Sequence, residues 1–551
     1  MHSANAIAEI PLDQADLLRK KGRWAEAAQR YADWLARNPA STAVVLNFAL
    51  CLLVLQRFAA ASQQALRIPE QDSLYWRAQI IHARAQMGLG AVDAALASLN
   101  RALAHDPTDA DIALELADVL LHQVGDAAGA RRLVTPFISG SAYRESALQT
   151  YIVASLYDRE ESDIDLAWKI REFANTHLNN GVATAQRTPG PASRSGKMRV
   201  GLISGYFCSA PVYFLTYGIL EQLAQRFDLV FYDRGSKKDW ANNKFRAIAR
   251  EWVDVDRANT AKLSQTLHAG CLDLLLEMSG WSDVDVLKAI ADKPCPRIYK
   301  WVGGQSATTG MNIFDGFISD RIQTPPETQG LYAEPLLNLP NGYTAYTPPD
   351  YLPHPVPARR DVLLLGVIGN PAKVSTGFLT ELALTVRRAA AQMPVPIVIQ
   401  FIDARYGKAL VRSRIAEFLR PSFEGSKRVA VLFTHPQSHK DFLVHVSKLS
   451  AVVDTWPYSA GLTALEALAM DVPVLGRAGM LCSSRHAASH HYFATPRRPL
   501  HEFTVANLRA LHKAAARPRS TQGFRKSLRN QPQKIAESLE QILLREYRKA
   551  A

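Results

Sequence analysis

The strongest chemical signal in the chain is a turn of small residues followed by a carboxylate. The apolar run Val452–Asp454 predicts a short strand, Ser459–Thr463 form the turn, and Glu466 lies in the first turns of the helix that follows. Small residues allow backbone N–H groups to approach a phosphate, the N-terminus of a helix supplies positive potential, and a carboxylate can bind two ribose hydroxyls. This pattern indicates a nucleotide-binding site.

Lys373 is a second candidate for contact with a phosphate. It lies between a predicted strand, Asp361–Ile368, and a predicted helix, Thr376–Met393. A lysine at that place can meet a diphosphate with its own charge while the helix dipole adds to the attraction. An exposed surface lysine would have the same spacing, and it is the nucleotide pattern further along the chain that favours the functional interpretation.

Positioning these residues requires a fold that brings strand ends together. Apolar runs that predict strands alternate with helical stretches from residue 198 onward, in two sets. The first set is Met198–Ser204, Leu229–Tyr232, Leu272–Met278, Arg297–Val302 and Phe314–Ser319. The second is Asp361–Ile368, Pro396–Phe401, Val429–Phe433, Ala451–Asp454 and Val472–Leu475. The alternation favours mostly parallel sheets covered by helices, either as two doubly wound domains or as one large α/β domain.

The N-terminal region repeats at the period of a helical hairpin. Turn positions recur at intervals of 34, 34 and 35 residues, at Gly22, Gln56, Gly90 and Gly125. An alanine follows each of them by five residues, namely Ala27, Ala61, Ala95 and Ala130. Prolines at 39, 69 and 107 come after the second helices of successive units. The pattern predicts stacked helix–turn–helix units of tetratricopeptide type or a more general α-solenoid.

These patterns predict four segments: a helical repeat domain over residues 1–178, a linker over 179–196, and α/β domains over 197–355 and 356–551. The linker is rich in Gly, Pro and Ser and lacks an apolar period. The last domain ends in a basic helical tail, because residues 497–551 carry 13 Lys and Arg against 4 Asp and Glu. Such a tail is either a solvated surface or a contact for an acidic partner or membrane surface.

The composition argues against several classes of protein. The five cysteines are scattered and form no CxxC pair, so neither a disulfide framework nor a zinc site is expected. No run of about 18 apolar residues predicts a membrane span, and the first residues lack the layout of a signal peptide. The net charge of +13 is not accompanied by a nucleic-acid-reading motif. We expect a cytoplasmic protein that does not bind nucleic acid.

The turn, Lys373 and the repeats together resemble the O-GlcNAc-transferase-type protein glycosyltransferases (glycosyltransferase family 41-like), with this chain as a divergent, bacterial-type member. The resemblance implies a helical TPR-like domain followed by an α/β GT-B fold, which is two doubly wound Rossmann-like domains with a cleft between them. It implies that Lys373 contacts the β-phosphate of the donor and that His439, in a strand-end loop, lies near the nucleotide. By itself, a histidine in such a loop is usually a capping or packing residue.

The same resemblance assigns the turn residue by residue. It places Ser459, Ala460, Gly461, Leu462 and Thr463 around the pyrophosphate and Glu466 on the ribose. Relatives usually carry aspartate at the Glu466 position, and histidine or asparagine and threonine where Gly461 and Leu462 stand. Backbone amides can replace the lost donors, so phosphate binding is expected to survive, whereas selectivity among sugars can change.

The first α/β domain departs further from the family. Trp301–Gly310 and Phe314–Asp320 resemble family segments, but the loop Gly205–Pro211 contains no histidine. Relatives usually carry one at the position of Ala210 and often a second where Phe214 stands. The residue that commonly orients the acceptor or removes its proton is therefore missing.

Three residues are candidates to replace that histidine. Asp320, which ends a predicted strand, is the first choice, Asp315 is the alternative, and Tyr206 is a weaker candidate because an unperturbed phenol is a poor base at neutral pH. Each aspartate has a structural alternative as a helix cap or a strand-end turn residue. Decay of catalysis is a further possibility.

The resemblance implies an inverting, metal-independent enzyme that transfers GlcNAc or glucose from a UDP-sugar to a protein side chain. UDP-sugar is then the donor substrate, no cofactor is required, and the TPR-like groove binds the acceptor protein. Two alternatives stay open: a repeat-bearing scaffold whose transferase half has decayed, and a GT-B enzyme that acts on a saccharide. The repeats can also mediate self-association into a homo-oligomer.

Overall fold

The computed structural model describes residues 12–178, 196–255, 259–495, 499–515, 518–520 and 522–548. The chain divides into two compact units, Met1–Tyr151 and Ile152–Ala551. Of the predicted linker over 179–196, only Gly196 belongs to the described residues. Arg497 and Arg498 of the basic tail also lie outside them.

The first unit is built from paired helices. Their bounds are Leu12–Lys20 (α1), Trp24–Leu35 (α2), Thr42–Val54 (α3), Phe58–Ala65 (α4), Tyr75–Gly88 (α5), Val92–His105 (α6), Ala110–Val119 (α7) and Ala127–Val134 (α8). The four turn positions that recur in the sequence all have left-handed backbones, with φ between 58° and 78° at Gly22, Gln56, Gly90 and Gly125. The alanines five residues later are all fully buried. The helical repeat predicted from the sequence is confirmed.

The boundary between the units falls within the helix Glu145–Tyr157 (α9), after Tyr151. The helix Asp163–His177 (α10), which the sequence analysis grouped with the repeats, belongs to the second unit. It packs closely there, since a Cβ added to Gly310 would lie 2.8 Å from the backbone oxygen of Ile170. Arg171 also donates a hydrogen bond to the carbonyl of Gly330 at 2.9 Å.

The second unit contains two parallel sheets, each flanked by helices. The first sheet comprises Arg199–Ser204 (β1), Asp228–Asp233 (β2), Glu251–Asp254 (β3), Leu274–Glu277 (β4), Arg297–Lys300 (β5), Gly316–Ser319 (β6) and Leu336–Asn338 (β7). Its helices are Pro211–Leu223 (α11), Trp240–Ile248 (α12), Thr260–Ala269 (α13) and Val284–Ala289 (α14). The strand order is β3-β2-β1-β4-β5-β6-β7. This order reverses between β1 and β4, as in doubly wound folds.

The second sheet repeats this design with fewer strands. It comprises Leu363–Ile368 (β8), Ile397–Ile402 (β9), Val429–Thr434 (β10), Ala451–Val453 (β11) and Val474–Leu475 (β12), in the order β10-β9-β8-β11-β12. Its helices are Thr376–Gln392 (α15), Ala409–Phe423 (α16), His439–Ser447 (α17), Leu462–Ala469 (α18), His486–Ala494 (α19) and Val505–Ala514 (α20). The order reverses between β8 and β11. The predicted fold class, helical repeats followed by two doubly wound sheets, is confirmed.

The last helix, Gln522–Arg548 (α21), returns to the first sheet although the sequence analysis grouped it with the second. It packs against α11, where Ile535, Leu539 and Leu543 share a buried core with Leu220. Within the described parts of the chain, none of the helices is both long and apolar enough to cross a membrane.

Candidate active site between the two sheets

Loops from both sheets of the second unit line a cleft of about 450 Å³. The loops after β1, β4 and β5 form one wall, and those after β8, β9 and β11 form the other. Both pairs of strands at which the order reverses, β1/β4 and β8/β11, contribute to it, and such crevices are where ligands bind in doubly wound folds. The lining includes Tyr157, Tyr206, Gly303, Gly304, Lys373, Asp403, Arg405, Tyr458, Gly461, Leu462, Thr463 and His486.

Lys373 presents its ammonium group to this cleft. It ends a short 3₁₀ turn after β8, and its Nζ donates a hydrogen bond to the carbonyl of Ser459 at 3.2 Å and lies 4.4 Å from the centre of the Tyr458 ring. Among the described residues, no carboxylate oxygen lies within 4.0 Å of Nζ. Burial lowers the pKa of Lys373, against the opposing charge of Asp454. Among the described residues Lys373 therefore has no direct ion-pair partner, and an anionic ligand in the cleft can pair with it.

Asp454 holds the turn after β11 in place. Its carboxylate accepts hydrogen bonds from the Ser459 hydroxyl and from the Ala460 amide, each at 2.6 Å. The Ser459 hydroxyl in turn accepts one from the Ala487 amide at 2.9 Å. Burial raises the pKa of Asp454, while these two donors and Lys373 favour its charged form. The side chain of Ser459 is thus used within the turn rather than in the cleft.

The five predicted pyrophosphate residues therefore divide into two groups. Ser459 and Ala460 are buried and support the turn, whereas Gly461, Leu462 and Thr463 line the cleft at the N-terminus of α18. Helix N-termini carry unpaired N–H groups and positive potential. This part of the site matches the geometry that the sequence analysis predicted, and its contact with phosphate stays a prediction.

His439 and Glu466 lie side by side, as two nucleotide-binding residues would, but they bind each other. His439 Nε2 lies 2.6 Å from Glu466 Oε1, and the hydroxyl of Tyr351 lies 2.8 Å from Nδ1. The His439 ring also packs against Phe214, which stands at a family histidine position, with ring centres 5.3 Å apart. Glu466 is almost fully buried, and neither residue lines the cleft. A ribose contact by Glu466 would have to compete with its bond to His439.

Asp320 and Asp315 do not reach the cleft. Asp320 follows β6 and is fully buried, where it accepts hydrogen bonds from the amides of Ile322 and Gln323 and from the hydroxyl of Ser489. Asp315 precedes β6, so it lies at the amino ends of the strands, away from the cleft, and it is paired with Arg297 at 2.5 Å. The geometry gives neither aspartate the predicted role as acceptor base, because the carboxylates are committed to structural contacts.

Tyr206 is the one of the three acceptor candidates that lines the cleft, and it is 41% exposed. Ala210 precedes α11 and packs as part of its N-terminal turn, so it provides no polar side chain at the position where relatives usually carry histidine. Within the described residues, no group of three or more His, Cys, Asp or Glu side chains could hold a metal ion.

Several residues of the cleft were not predicted from the sequence. Arg405 follows β9 and binds Asp403 through two hydrogen bonds, at 2.6 and 2.7 Å. Tyr157, from the end of α9, packs on Tyr458 with ring centres 5.0 Å apart, and Tyr458 is 2.9 Å from the hydroxyl of Ser306 on the opposite wall. Arg405 and Asp403 directly follow a predicted strand, and this position could have identified them from the sequence. Tyr157 ends a helix, and no comparable sequence signal marks it.

A buried ion pair shapes the loops of the first wall. Lys300 and Glu277 are both fully buried, with Nζ and Oε2 3.2 Å apart, and Lys300 also donates to the carbonyl of Gly303 at 2.6 Å. Gly304 has φ +54°, and a Cβ there would lie 1.7 Å from the oxygen of Ser279. Only glycine fits at this crossing of two loops.

Comparison with known proteins agrees with this architecture. A sequence profile of glycosyl transferase family 41 matches residues 183–355, and a tetratricopeptide-repeat profile matches 18–83 and 86–136. Among solved structures, a mutant of the O-GlcNAc transferase of Thermobaculum terrenum aligns with 93% of this chain and 99% of its own, with a TM-score of 0.78 and 21% identity. The identity is low, so this likeness shows the shared GT-B fold.

Curated relatives include proteins named probable UDP-N-acetylglucosamine–peptide N-acetylglucosaminyltransferase SPINDLY. Those of Petunia hybrida and Arabidopsis thaliana are each 27% identical, over 288 and 292 residues, which is 51% of this chain and 30% and 31% of theirs. The chain thus spans less than a third of the length of these relatives. Over residues 183–355 it matches the glycosyl transferase family 41 profile, which follows tetratricopeptide repeats, and in this arrangement it is similar to proteins of the O-GlcNAc-transferase type.

Proposed function

We propose that the chain is an inverting glycosyltransferase that moves a hexose or N-acetylhexosamine, GlcNAc or glucose, from a UDP-sugar to a protein side chain. The observation that carries the proposal is the ammonium group of Lys373, which is held in the cleft beside the N-terminus of α18 without a carboxylate partner among the described residues. A diphosphate would supply the missing negative charge.

The chemistry follows from the departure of UDP. As the glycosidic bond breaks, negative charge grows on the β-phosphate, and preorganised donors at that position lower the barrier. Lys373 and the amides that begin α18 supply positive potential there from the protein itself. We therefore propose that transfer does not depend on a metal ion.

The proposal of inversion is supported by the lack of a free carboxylate among the described residues that line the cleft. Retention through a covalent intermediate would require a free nucleophile near the sugar. Asp403 is the one carboxylate among the described residues that line the cleft, and both of its oxygens accept hydrogen bonds from Arg405. Direct attack by the acceptor, which inverts the anomeric centre, needs no such nucleophile.

The acceptor is proposed to be a polypeptide bound by the repeats. The first unit contains its own groove of about 810 Å³, which is lined by apolar, polar and charged side chains that include Asn47, Trp76, Ile80 and Arg84. A groove of mixed character suits an extended peptide better than a small saccharide.

The test combines binding with transfer. The purified chain is incubated in excess EDTA with a panel of UDP- and GDP-sugars and with a mixture of unfolded acceptor proteins, and the products are examined by mass spectrometry. We expect a hexose or N-acetylhexosamine adduct on protein with UDP-sugars only. Binding of UDP without an adduct from any sugar would favour the scaffold with a decayed transferase half, and activity that disappears on chelation would contradict the metal-independent mechanism.

A further inference from the structure

His486 is a buried histidine in the cleft that neither the sequence analysis nor the proposed mechanism uses. It is the first residue of α19, its side chain is 8% exposed, and it lines the cleft together with Lys373. Both side chains lie against the same ring, since the His486 ring centre is 5.7 Å from that of Tyr458 and Lys373 Nζ is 4.4 Å from it. A ligand group held by Lys373 is therefore close to His486.

One nitrogen of the imidazole is fixed by the protein. The amide nitrogen of Gln323 lies 2.8 Å from His486 Nδ1, and the hydroxyl of Tyr343 lies 3.1 Å from it. The carbonyl oxygen of Gln323 accepts a hydrogen bond from Ser319 at 2.6 Å, which turns the NH₂ group of the amide towards the histidine. Nδ1 is therefore an acceptor, and the ring proton of the neutral form is on Nε2.

The other ring nitrogen, Nε2, is available to a ligand. Among the described residues, Nε2 of His486 has no hydrogen-bond partner, although nine-tenths of the side chain is buried. The side chain lines the cleft and Nδ1 is occupied by Gln323 and Tyr343, so Nε2 is the ring nitrogen left for a ligand in the cleft. Because Nδ1 is occupied, the available group is an N–H donor, which suits an anionic or carbonyl oxygen.

The surroundings also keep the ring neutral. Burial, followed by the nearby His490 and Lys373, holds the pKa of His486 well below its usual range. A histidine that resists protonation is a poor general base for the acceptor. It remains an N–H donor at all physiological pH values, and it adds no charge that would repel Lys373.

We propose that His486 donates a hydrogen bond from Nε2 to the diphosphate of the nucleotide-sugar donor, beside the ammonium group of Lys373. The inference rests on the proposed function and adds a diphosphate-binding group from α19 to those of the β8 and β11 loops. The Ala487 amide donates a hydrogen bond to the Ser459 hydroxyl, which holds the start of α19 against the turn.

The test compares two amide replacements of His486. In His486→Gln the amide nitrogen can take the place of Nε2, whereas in His486→Asn it reaches only as far as Nδ1. Affinities of the full chain for UDP and for uridine are measured by calorimetry. We expect His486→Asn to weaken UDP binding by about tenfold or more, the loss of one hydrogen bond to a charged group, and His486→Gln to stay within about threefold of the wild type. Uridine binding should not change in either.

His490→Asn is the matched control. His490 lies one turn along α19, is also buried and stacks on Tyr343; its Nε2 has no hydrogen-bond partner among the described residues either, but the side chain does not line the cleft. Its variant should bind UDP as the wild type does. Equal UDP affinity in the wild type and both His486 variants, or parallel losses for UDP, uridine and thermal stability in all three variants, would overturn the assignment. A wild-type chain that does not bind UDP would overturn the proposed function and this inference with it.

Discussion

Replacement of Lys373 by methionine tests the source of leaving-group stabilisation. Methionine keeps most of the volume and removes the charge. A charge-assisted hydrogen bond to phosphate contributes about 1.5–3 kcal/mol, which corresponds to a loss of about tenfold to 150-fold in kcat/KM. Because the charge on the β-phosphate grows as the bond to the sugar breaks, the loss should appear in kcat as well as in UDP affinity.

The fold should tolerate this change. Loss of the Lys373 charge raises the pKa of Asp454 further, but the Ser459 hydroxyl and the Ala460 amide still donate to that carboxyl group. The melting temperature should therefore stay close to that of the wild type. Lys440→Met, at an exposed lysine on α17, is the matched control for the removal of a positive charge.

The assay is the release of UDP together with transfer to protein, measured over a range of donor concentrations. We expect Lys373→Met to be at least about tenfold slower than the wild type and Lys440→Met to be unchanged. Wild-type turnover by Lys373→Met would refute the role given to this lysine. Equal losses in both variants would show that general electrostatic attraction, rather than a contact in the cleft, produces the effect.

Three further predictions concern separate parts of the molecule. Burial lowers the pKa of Lys373, and only the protonated lysine binds the diphosphate, so the affinity for UDP should fall at a lower pH than the titration of an ordinary lysine would produce. In Lys373→Met, the UDP affinity measured by calorimetry should no longer change over this pH range. Gly90→Ala should lower the unfolding free energy of the repeat unit by about 1 kcal/mol. The cause is the backbone alone, because φ is +78° and an added Cβ would meet no atom within 4 Å. Gln56→Gly, at φ +58°, should raise the unfolding free energy by about 0.5–1 kcal/mol, and urea denaturation followed by circular dichroism measures both. Asp320→Asn should lower thermal stability while a folded variant keeps most of its turnover, and a hundredfold loss of turnover without destabilisation would restore the predicted role as a base.

The helical repeats could be predicted in detail because their signal is local. A turn position, a buried alanine and a proline recur at a fixed period. They mark the turn, the close approach of the paired helices and the helix end within a single helical hairpin. The structure adds that the turn positions are left-handed. Gln56 occupies one of them without being glycine, which the period alone does not explain.

The sheets were predictable where strands are central and buried. The apolar runs of the sequence match β1, β2, β4, β5 and β6 and all strands of the second sheet to within a few residues. Two strands were not predicted, β3 (Glu251–Asp254) and β7 (Leu336–Asn338), which form the two edges of the first sheet. Edge strands are short and partly exposed, so they lack a continuous apolar run.

The sequence predicted which loops form the site, but it did not predict the contacts that each side chain makes. Lys373 and Gly461 follow strand ends and line the cleft as expected. Asp320 also follows a strand end, but its carboxylate is held by Ser489, a contact between residues 169 positions apart that no local pattern reveals. The reverse holds for His486, which becomes notable only because Gln323 and Tyr343 fix one of its nitrogens.

A crystal structure of the chain soaked with UDP in the presence of EDTA would show whether the diphosphate binds beside Lys373 without a metal ion. We expect density for the diphosphate within hydrogen-bonding distance of Lys373 Nζ and of the backbone amides at Gly461–Thr463, without a metal ion between them. Diphosphate density outside the cleft, or an empty cleft at a UDP concentration that saturates binding in solution, would contradict it.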